Sequence, residues 1–302
     1  MKTFTLTVLG TSSAVPTSKS YTSAHVLKVC EHFYLFDCGE ATQIRIRQEK
    51  IPLSKLYHIF ISHLHGDHFF GLFGLLSSFN LYQSIKDVHI YAHKPLKEII
   101  KTVLQTENLS FNIHFHEIPS EKLCQIYEDK YVIISSLPLK HRIPTAAFIV
   151  KQKQNLLKIK KEKIQEYELS IKDIVKIKQG NDYITNEGKI IPNEIFTYPP
   201  EKPKIYAYIT DTIFDESIVP HIFEADVLYH EATFTNENKE IALHCGHSTA
   251  LQAATIAKLA NVQKLIIGHF STRYKNRTVF LEEAKQIFPN TILAEEGLTI
   301  EF

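Results

Sequence analysis

Six residues of this sequence hold three histidines and an aspartate, His63-Leu-His65-Gly-Asp67-His68, directly after the apolar run His58-Ile-Phe-Ile-Ser62. Imidazole nitrogen and carboxylate oxygen are the donors Zn²⁺ takes in catalytic centres, and a strand running into such a group delivers several donors to one place. Gly66 is expected to let the backbone turn tightly, so that the side chains on either side of it converge. Further residues of ligand type stand just beyond strand-like apolar runs: His141 after 131–139, Asp211 after 205–210, His230-Glu231 after 225–229 and His269 after 265–268. In a layered α/β fold, strand ends along one edge open onto a common cleft. His63, His65, Asp67, His68, His141, Asp211 and His269 are therefore the candidate metal ligands. Seven ligands exceed one tetrahedral site. Two metals sharing a carboxylate use them all and leave room for a bridging hydroxide, which suits in-line displacement at phosphorus. The other histidines (His25, His32, His58, His89, His93, His114, His116, His221 and His244) lack this context and read as structural.

The elements that must position these residues are short. Strands are predicted at 4–9, 24–29, 33–37, 58–62, 88–91, 131–137, 146–150, 205–210, 227–230, 264–268 and 291–294. Helices are predicted at 69–80, 95–106, 248–260 and 279–288, the third opening on the cap residues Ser248 and Thr249. This alternation is βα layering. A chain of 302 residues allows two domains or one large α/β sandwich. With 44% hydrophobic and 22% charged residues it is an ordinary globular composition, which excludes disordered and fibrous chains.

A net charge of +1 gives no global attraction to nucleic acid, so any such partner must be met by a local asymmetry. One stretch provides it. From Lys151 to Lys178 nine lysines stand against Glu162, Glu166, Glu168 and Asp173, with few aromatics, so little core is expected there. The continuation to Pro203 is turn-rich, with Gly180, Gly188, Pro192 and Pro199-Pro200. We read 151–203 as an insertion projecting from the main body; by composition alone, a solvated excursion without a partner is favoured. Cys30, Cys38, Cys124 and Cys245 form no CxxC pair, so neither a disulfide framework nor a cysteine zinc site is indicated, and a reducing compartment fits. No run of 18 apolar residues exists, so no membrane span is expected. The N-terminus alternates Thr3, Thr5 and Thr7 with Phe4, Leu6 and Val8, as a first strand does and a signal peptide does not.

The seven candidate ligands together with Leu35-Phe36-Asp37-Cys38-Gly39-Glu40 resemble the metallo-β-lactamase superfamily. More narrowly, four segments resemble the ribonuclease Z family of tRNA 3′-processing endonucleases, and the likeness covers nearly the whole chain. They are Leu9-Gly10-Thr11-Ser12 with Val15-Pro16, His230-Glu231-Ala232-Thr233-Phe234, Gly246-His247-Ser248-Thr249, and His269-Phe270-Ser271-Thr272-Arg273-Tyr274. The resemblance implies an α/β fold, a four-layer αββα sandwich, with 1–302 forming one metallo-hydrolase domain and 151–203 a protruding basic arm for tRNA. It implies two zinc ions per chain, one on His63, His65 and His141 and the other on Asp67, His68 and His269, with Asp211 bridging. Asp67 would also be the general base. His247 would protonate the leaving 3′-oxygen; its plainer reading is a residue filling the entrance of the following helix. Glu231 either orients His247 or is purely structural, and Arg273 either contacts a phosphate or forms a surface salt bridge.

The activity so implied is cleavage of precursor tRNA on the 3′ side of the discriminator nucleotide by a cytoplasmic homodimer, leaving a tRNA 3′-hydroxyl and a 5′-phosphate on the trailer. Alternatives are a phosphodiesterase or arylsulfatase-like hydrolase of small esters, and a catalytically idle scaffold or RNA-binding protein with this fold, which the complete ligand set opposes. Two segments differ from the family's pattern. Its P-x-K-x-R-N loop is here Pro16-Thr-Ser-Lys-Ser-Tyr21, and no Gly-Pro dipeptide occurs in the chain.

Overall fold

In strand after strand the apolar residues divide by parity, and that division builds the layers. The computed structural model describes residues 4–18, 20–83, 85–105, 108–154 and 156–302. Thr3, Lys19 of the Pro16–Tyr21 loop and Thr106, the expected end of one helix, lie outside the described residues. The chain forms β1 (Phe4–Gly10), β2 (Ala24–Val29), β3 (His32–Phe36), β4 (His58–Phe60), β5 (Asp87–Ala92), β6 (Asn112–Glu117), β7 (Cys124–Glu128), β8 (Val132–Leu139) and β9 (Thr145–Gln152). A hairpin of β10 (Tyr183–Ile184) and β11 (Ile190–Ile191) follows, then β12 (Ile205–Ile209), β13 (Val227–Glu231), β14 (Lys264–Gly268), β15 (Thr291–Leu293) and β16 (Thr299–Glu301). Two mixed seven-stranded sheets result, ordered β16-β1-β2-β3-β4-β5-β6 and β15-β14-β13-β12-β9-β8-β7.

Successive strand residues face opposite sides. Tyr34, Phe36, Phe60 and Tyr91 of the first sheet therefore share one cluster with Phe148, Val150, Tyr206, Tyr208, Tyr229 and Ile266 of the second. The residues between them, Leu35, Ile59 and Ile90, pack under Leu72, Leu75, Leu76 and Phe79 of the helix Gly71–Tyr82 and under Leu96 and Ile100 of Pro95–Val103. On the other side, Ala207, Ile209, Leu228 and Ile267 pack against Ala253, Ala254 and Ala257 of Ala250–Leu259 and against Phe280 of Thr278–Lys285. The sheets thus face each other with helices on both outer sides, the αββα arrangement expected. β3 to β6 run parallel, as do β12 to β15, so each series presents its C-terminal ends along one edge.

Several elements differ from expectation. The helix predicted over 69–80 is two, Gly66–Phe69 and Gly71–Tyr82. Thr249 is the N-cap of Ala250–Leu259, in a capping box with Gln252, whereas Ser248 donates its hydroxyl to the Thr212 carbonyl. β6, β7 and β16 were not expected, because half-exposed edge strands lack a strong apolar run.

The chain divides into two compact units, Met1–Lys151 with Lys204–Phe302, and Gln152–Pro203. The second has a core of its own around Leu169, Ile177 and the fully buried Phe196, against which Tyr167 and Tyr183 set their rings at 5.0 and 5.4 Å. This corrects the expectation of little core: aromatics are few there, but they gather on one residue. None of its lysines is buried. Among the described residues no helix is long and apolar enough to cross a membrane.

Candidate metal centre

All seven expected ligands come together at the strand ends. The segment after β4 carries His63 and His65 into the short helix that holds Asp67 and His68. Asp211 follows β12 and His269 follows β14, while His141 lies in the connection from β8 to β9. Gly66 does not have the left-handed backbone that a tight glycine turn uses; the helical turn itself brings Asp67 and His68 round, and a Cβ on Gly66 would meet the Phe70 ring at 2.3 Å. The glycine in close approach here is Gly71, which opens the next helix and whose Cβ would stand 1.9 Å from the Gly39 carbonyl oxygen. Asp37 and His269 hold left-handed backbone, φ 56° and 61°. Non-glycine residues do so at a cost of about 1–3 kcal/mol, characteristic of functional sites.

Three overlapping groups of donors form: two use the seven expected residues, and a third joins His247 to Asp211 and His269. His65 Nδ1 lies 3.1 Å from His63 Nε2 and 3.3 Å from His141 Nε2. Asp211 Oδ2 faces this group, 3.4 Å from His63 Nε2 and 3.7 Å from His141 Nε2. In the second group His68 Nε2 and His269 Nε2 are 3.2 Å apart, with Asp67 Oδ2 at 3.5 and 3.4 Å from them. Asp211 turns its other oxygen here, Oδ1 standing 3.5 Å from His68 Nε2 and 3.3 Å from His269 Nε2. A tetrahedral ion with bonds of about 2.0–2.1 Å needs its donors about 3.3 Å apart. Donor types and spacing in both groups therefore fit a metal ion.

In four of the five histidines the ring nitrogen facing away from the centre is held. His63 Nδ1 lies 3.0 Å from Ser62 Oγ, His68 Nδ1 donates to Asp37 Oδ2 at 2.7 Å, His141 Nδ1 to the Gly246 carbonyl at 2.7 Å, and His269 Nδ1 to Thr233 Oγ1 at 2.9 Å. Such outer partners set which nitrogen carries the proton and which keeps its lone pair for a metal. Asp67 Oδ2 also accepts the Ala14 N–H at 2.7 Å. From sequence, Asp37 and Thr233 stand only inside family-like segments, and no role is expected for either of them or for Ser62 and Ala14. Asp37 had a signal, since it directly follows β3, beside the parallel β4 that leads to His63.

The charges agree with a cation at this point. Burial, and then the charge of His68, lowers His63 to about 4, and burial lowers His65 and His141, so these rings are neutral at pH 7. Burial disfavours the Asp67 and Asp211 carboxylates, but the surrounding histidines, His68 and His269 foremost, hold both far below the usual range. Burial likewise disfavours a charged His68, yet Asp67, Asp211 and Asp37 raise it well above its ordinary value. Two carboxylates, Asp67 and Asp211, thus demand positive charge where the nitrogens aim.

His247 stands beside the seven, its Nδ1 3.0 Å from Glu231 Oε1 and 3.9 Å from Asp211 Oδ2. Its ring is 5.1 Å from that of His141 and 5.4 Å from that of His269. Burial opposes its charge, but Glu231 and Asp211 outweigh this and raise it to about 9. The fully buried Glu231 bonds both to His247 and to the chain around it. Besides His247, its Oε1 accepts the N–H groups of Thr212 and Ser248, and its Oε2 accepts the N–H and hydroxyl of Thr233. His230, its neighbour, is buried and joins no donor group. Arg273 is exposed, its guanidinium 5.8 Å over the Phe234 ring, with no ion pair among the described residues.

Known proteins resemble the chain over its length. A family model described as Anti-Pycsar protein Apyc1 matches residues 4–135, less than half of it. Ribonuclease Z of Bacteroides fragilis is 40% identical over 302 residues, covering 99% of both chains. Ribonuclease Z of Bacteroides thetaiotaomicron is 41% identical, covering 99% of this chain and 96% of its own. Among solved structures, the human short-form tRNase Z superposes with a TM-score of 0.71 at 26% identity, over 98% of both chains. The metallo-β-lactamase fold protein YhfI of Bacillus subtilis does so with a TM-score of 0.70 at 18% identity, covering both chains fully, a likeness of fold alone. The chain belongs to the ribonuclease Z family, endonucleases that hydrolyse phosphodiester bonds on the metallo-β-lactamase fold.

Proposed function

We propose that the protein is a zinc-dependent endoribonuclease that cleaves precursor tRNA on the 3′ side of the discriminator nucleotide, leaving a tRNA 3′-hydroxyl and a 5′-phosphate on the trailer. The observation that carries this reading is Asp211, which turns one oxygen to each donor group in a chain of this family. His63, His65 and His141 would hold one Zn²⁺, and Asp67, His68 and His269 the other, with Asp211 shared. When bound, the two ions polarise the scissile phosphate and lower the pKa of water.

The chain's own groups do the rest. Asp67, fixed by the Ala14 N–H, accepts the proton of the attacking water. His247 engages Glu231 through Nδ1, so Nε2 is the atom that gives a proton to the departing 3′-oxygen. Arg273, without a carboxylate partner among the described residues, binds an RNA phosphate. The lysine-bearing unit Gln152–Pro203 is the arm that grips the tRNA backbone. The enzyme acts as a homodimer in the cytoplasm, where its four free thiols stay reduced.

The test is to incubate the purified, zinc-loaded protein with a 3′-extended tRNA transcript and map the ends. A single cut after the discriminator, with a 5′-phosphate on the trailer, is expected. Hydrolysis of an activated small phosphodiester with no cut in the transcript would replace this reading by that of a small-ester hydrolase.

A further inference from the structure

Tyr208 lies in β12 of the second sheet, fully buried, and reaches across the core to the first. Its hydroxyl donates to Asp37 Oδ2 at 2.8 Å. Asp37 is itself fully buried, and its carboxylate gathers three further donors: the Ser62 N–H on Oδ1 at 2.7 Å, and the Ser62 hydroxyl and His68 Nδ1 on Oδ2 at 2.9 and 2.7 Å. Ser62 has one hydroxyl proton. Given to Asp37, it leaves Ser62 Oγ to accept from His63 Nδ1, 3.0 Å away. His63 and His68 are then both protonated on Nδ1 and carry their lone pairs on Nε2, the nitrogen aimed into the centre. One carboxylate so orients one histidine of each donor group.

Of the side chains that hydrogen-bond to this carboxylate, Tyr208 alone among the described residues comes from the second sheet. Three residues further on, the same strand delivers Asp211, which faces both groups. The Tyr208 hydroxyl therefore registers the sheet carrying His63 and His68 against the strand carrying Asp211. The ring is fixed independently of the hydroxyl, stacked on Tyr229 at 5.1 Å and edge-on to His25 at 4.9 Å. We propose that Tyr208 is a positioning residue of the metal centre, acting through Asp37 to set His68 and His63 against Asp211, so that loss of its hydroxyl weakens metal binding in both donor groups. The proposal rests on reading the seven side chains as a metal centre.

The experiment measures zinc affinity by competition with a chelator, and the absorption spectrum of the cobalt-substituted protein, for wild type, Tyr208→Phe and Tyr206→Phe. Tyr206 is the control, since its hydroxyl is equally buried but lies 3.0 Å from His25 Nδ1 and makes no hydrogen bond to Asp37. Tyr208→Phe is expected to lose about 10–100-fold in zinc affinity, the usual effect of removing a partner behind a ligand, and to change the cobalt spectrum. Tyr206→Phe should change neither. Adding Tyr208→Phe to Asp37→Asn should cost no further affinity, because one acts through the other. Unchanged zinc affinity and cobalt spectrum in Tyr208→Phe, even with a lowered melting temperature, would overturn the proposal while leaving the metal centre standing. Failure of the wild type to bind either metal would remove the metal centre and the proposal together. If Tyr208→Phe does not fold, the proposal stands or falls on Asp37→Asn, which must weaken binding to both groups.

Discussion

Histidines gather in two places in this protein and use the same ring in opposite ways. In the candidate metal centre, ring nitrogens from five histidines and oxygens from two aspartates meet with gaps of 3.1–3.7 Å. On the first sheet, His58, His89 and His114 are lateral neighbours on β4, β5 and β6. There the rings stack face to face, His58 on His89 at 4.9 Å, His89 on His114 at 4.8 Å, and His116 on Tyr91 at 4.4 Å. Strand spacing sets that pitch: side chains in the middle of paired strands are held about 4.8 Å apart in register and present their faces. Side chains beyond strand ends are free of register and can turn their edges to a common point. In the stack a single nitrogen pair approaches, His89 Nδ1 and His116 Nε2 at 3.0 Å, and no third donor completes a ligand group among the described residues.

The largest effect should come from breaking the convergence at its shared member. Asp211→Ala removes the carboxylate that faces both groups, so metal content should fall at both and RNA cleavage should drop by about four orders of magnitude or more, with RNA binding retained. His89→Gln, in the stack, should leave metal content and cleavage within about twofold of wild type. Elemental analysis and single-turnover cleavage check both. Equal losses in the two variants would mean that convergence does not distinguish the clusters.

A smaller effect is expected for His247, which stands in the first region beside the seven candidate ligands. His247→Ala should keep the full metal content and lower cleavage by about a hundredfold, within the range of general acid catalysis. The defect should depend on the leaving group, because an RNA 3′-oxygen needs a proton and p-nitrophenolate does not. Comparable losses on transcript and on p-nitrophenyl ester, or loss of metal, would show that His247 holds the site together.

How much of this was legible in sequence follows from the same contrast. The seven candidate ligands were readable because four crowd into 63–68 and the other three each follow an apolar run, and so were most strands, whose β-branched and aromatic residues carry the signal. Asp37 met the same criterion, but a carboxylate that orients a ligand is not distinguishable in sequence from a structural one. Thr233 and the Ala14 N–H carry no residue-type signal, since a backbone amide or a hydroxyl bonds wherever the fold sets it. The core of Gln152–Pro203 was missed because Tyr167, Tyr183 and Phe196 are spread over 30 residues and meet only when the segment folds. The histidine stack was read as structural, and its chemistry is of a kind that sequence does not show: it appears only from the register of β4, β5 and β6.

The smallest effect concerns that stack, and it appears only in acid. Burial, followed by repulsion from a charged His89, lowers His58 to about 3, and burial lowers His89 and His116 as well. Asp129 opposes the shift, while His116 and His32 reinforce it. A histidine whose folded pKa lies below its unfolded value near 6.5 favours the folded state fully only above that value. As pH falls from 6.5 toward 3 the unfolded chain takes up protons that the native ring refuses, at about 1.4 kcal/mol per pH unit. His58 is 8% exposed and its Nδ1 has no partner among the described residues, so His58→Phe gives up no hydrogen bond there and keeps a ring beside Tyr127, 4.5 Å away. At pH 7 the variant should match wild type to within about 1 kcal/mol. At pH 5 it should be more stable by about 2 kcal/mol, because only wild type has the proton uptake to overcome. Urea unfolding of both proteins across pH 4.5–7.5 measures the difference, in which metal release from the common centre cancels. Stability curves that stay parallel over this range would show that His58 takes up its proton in the folded state as readily as in water, and the stack would then be no different in acid from exposed histidines.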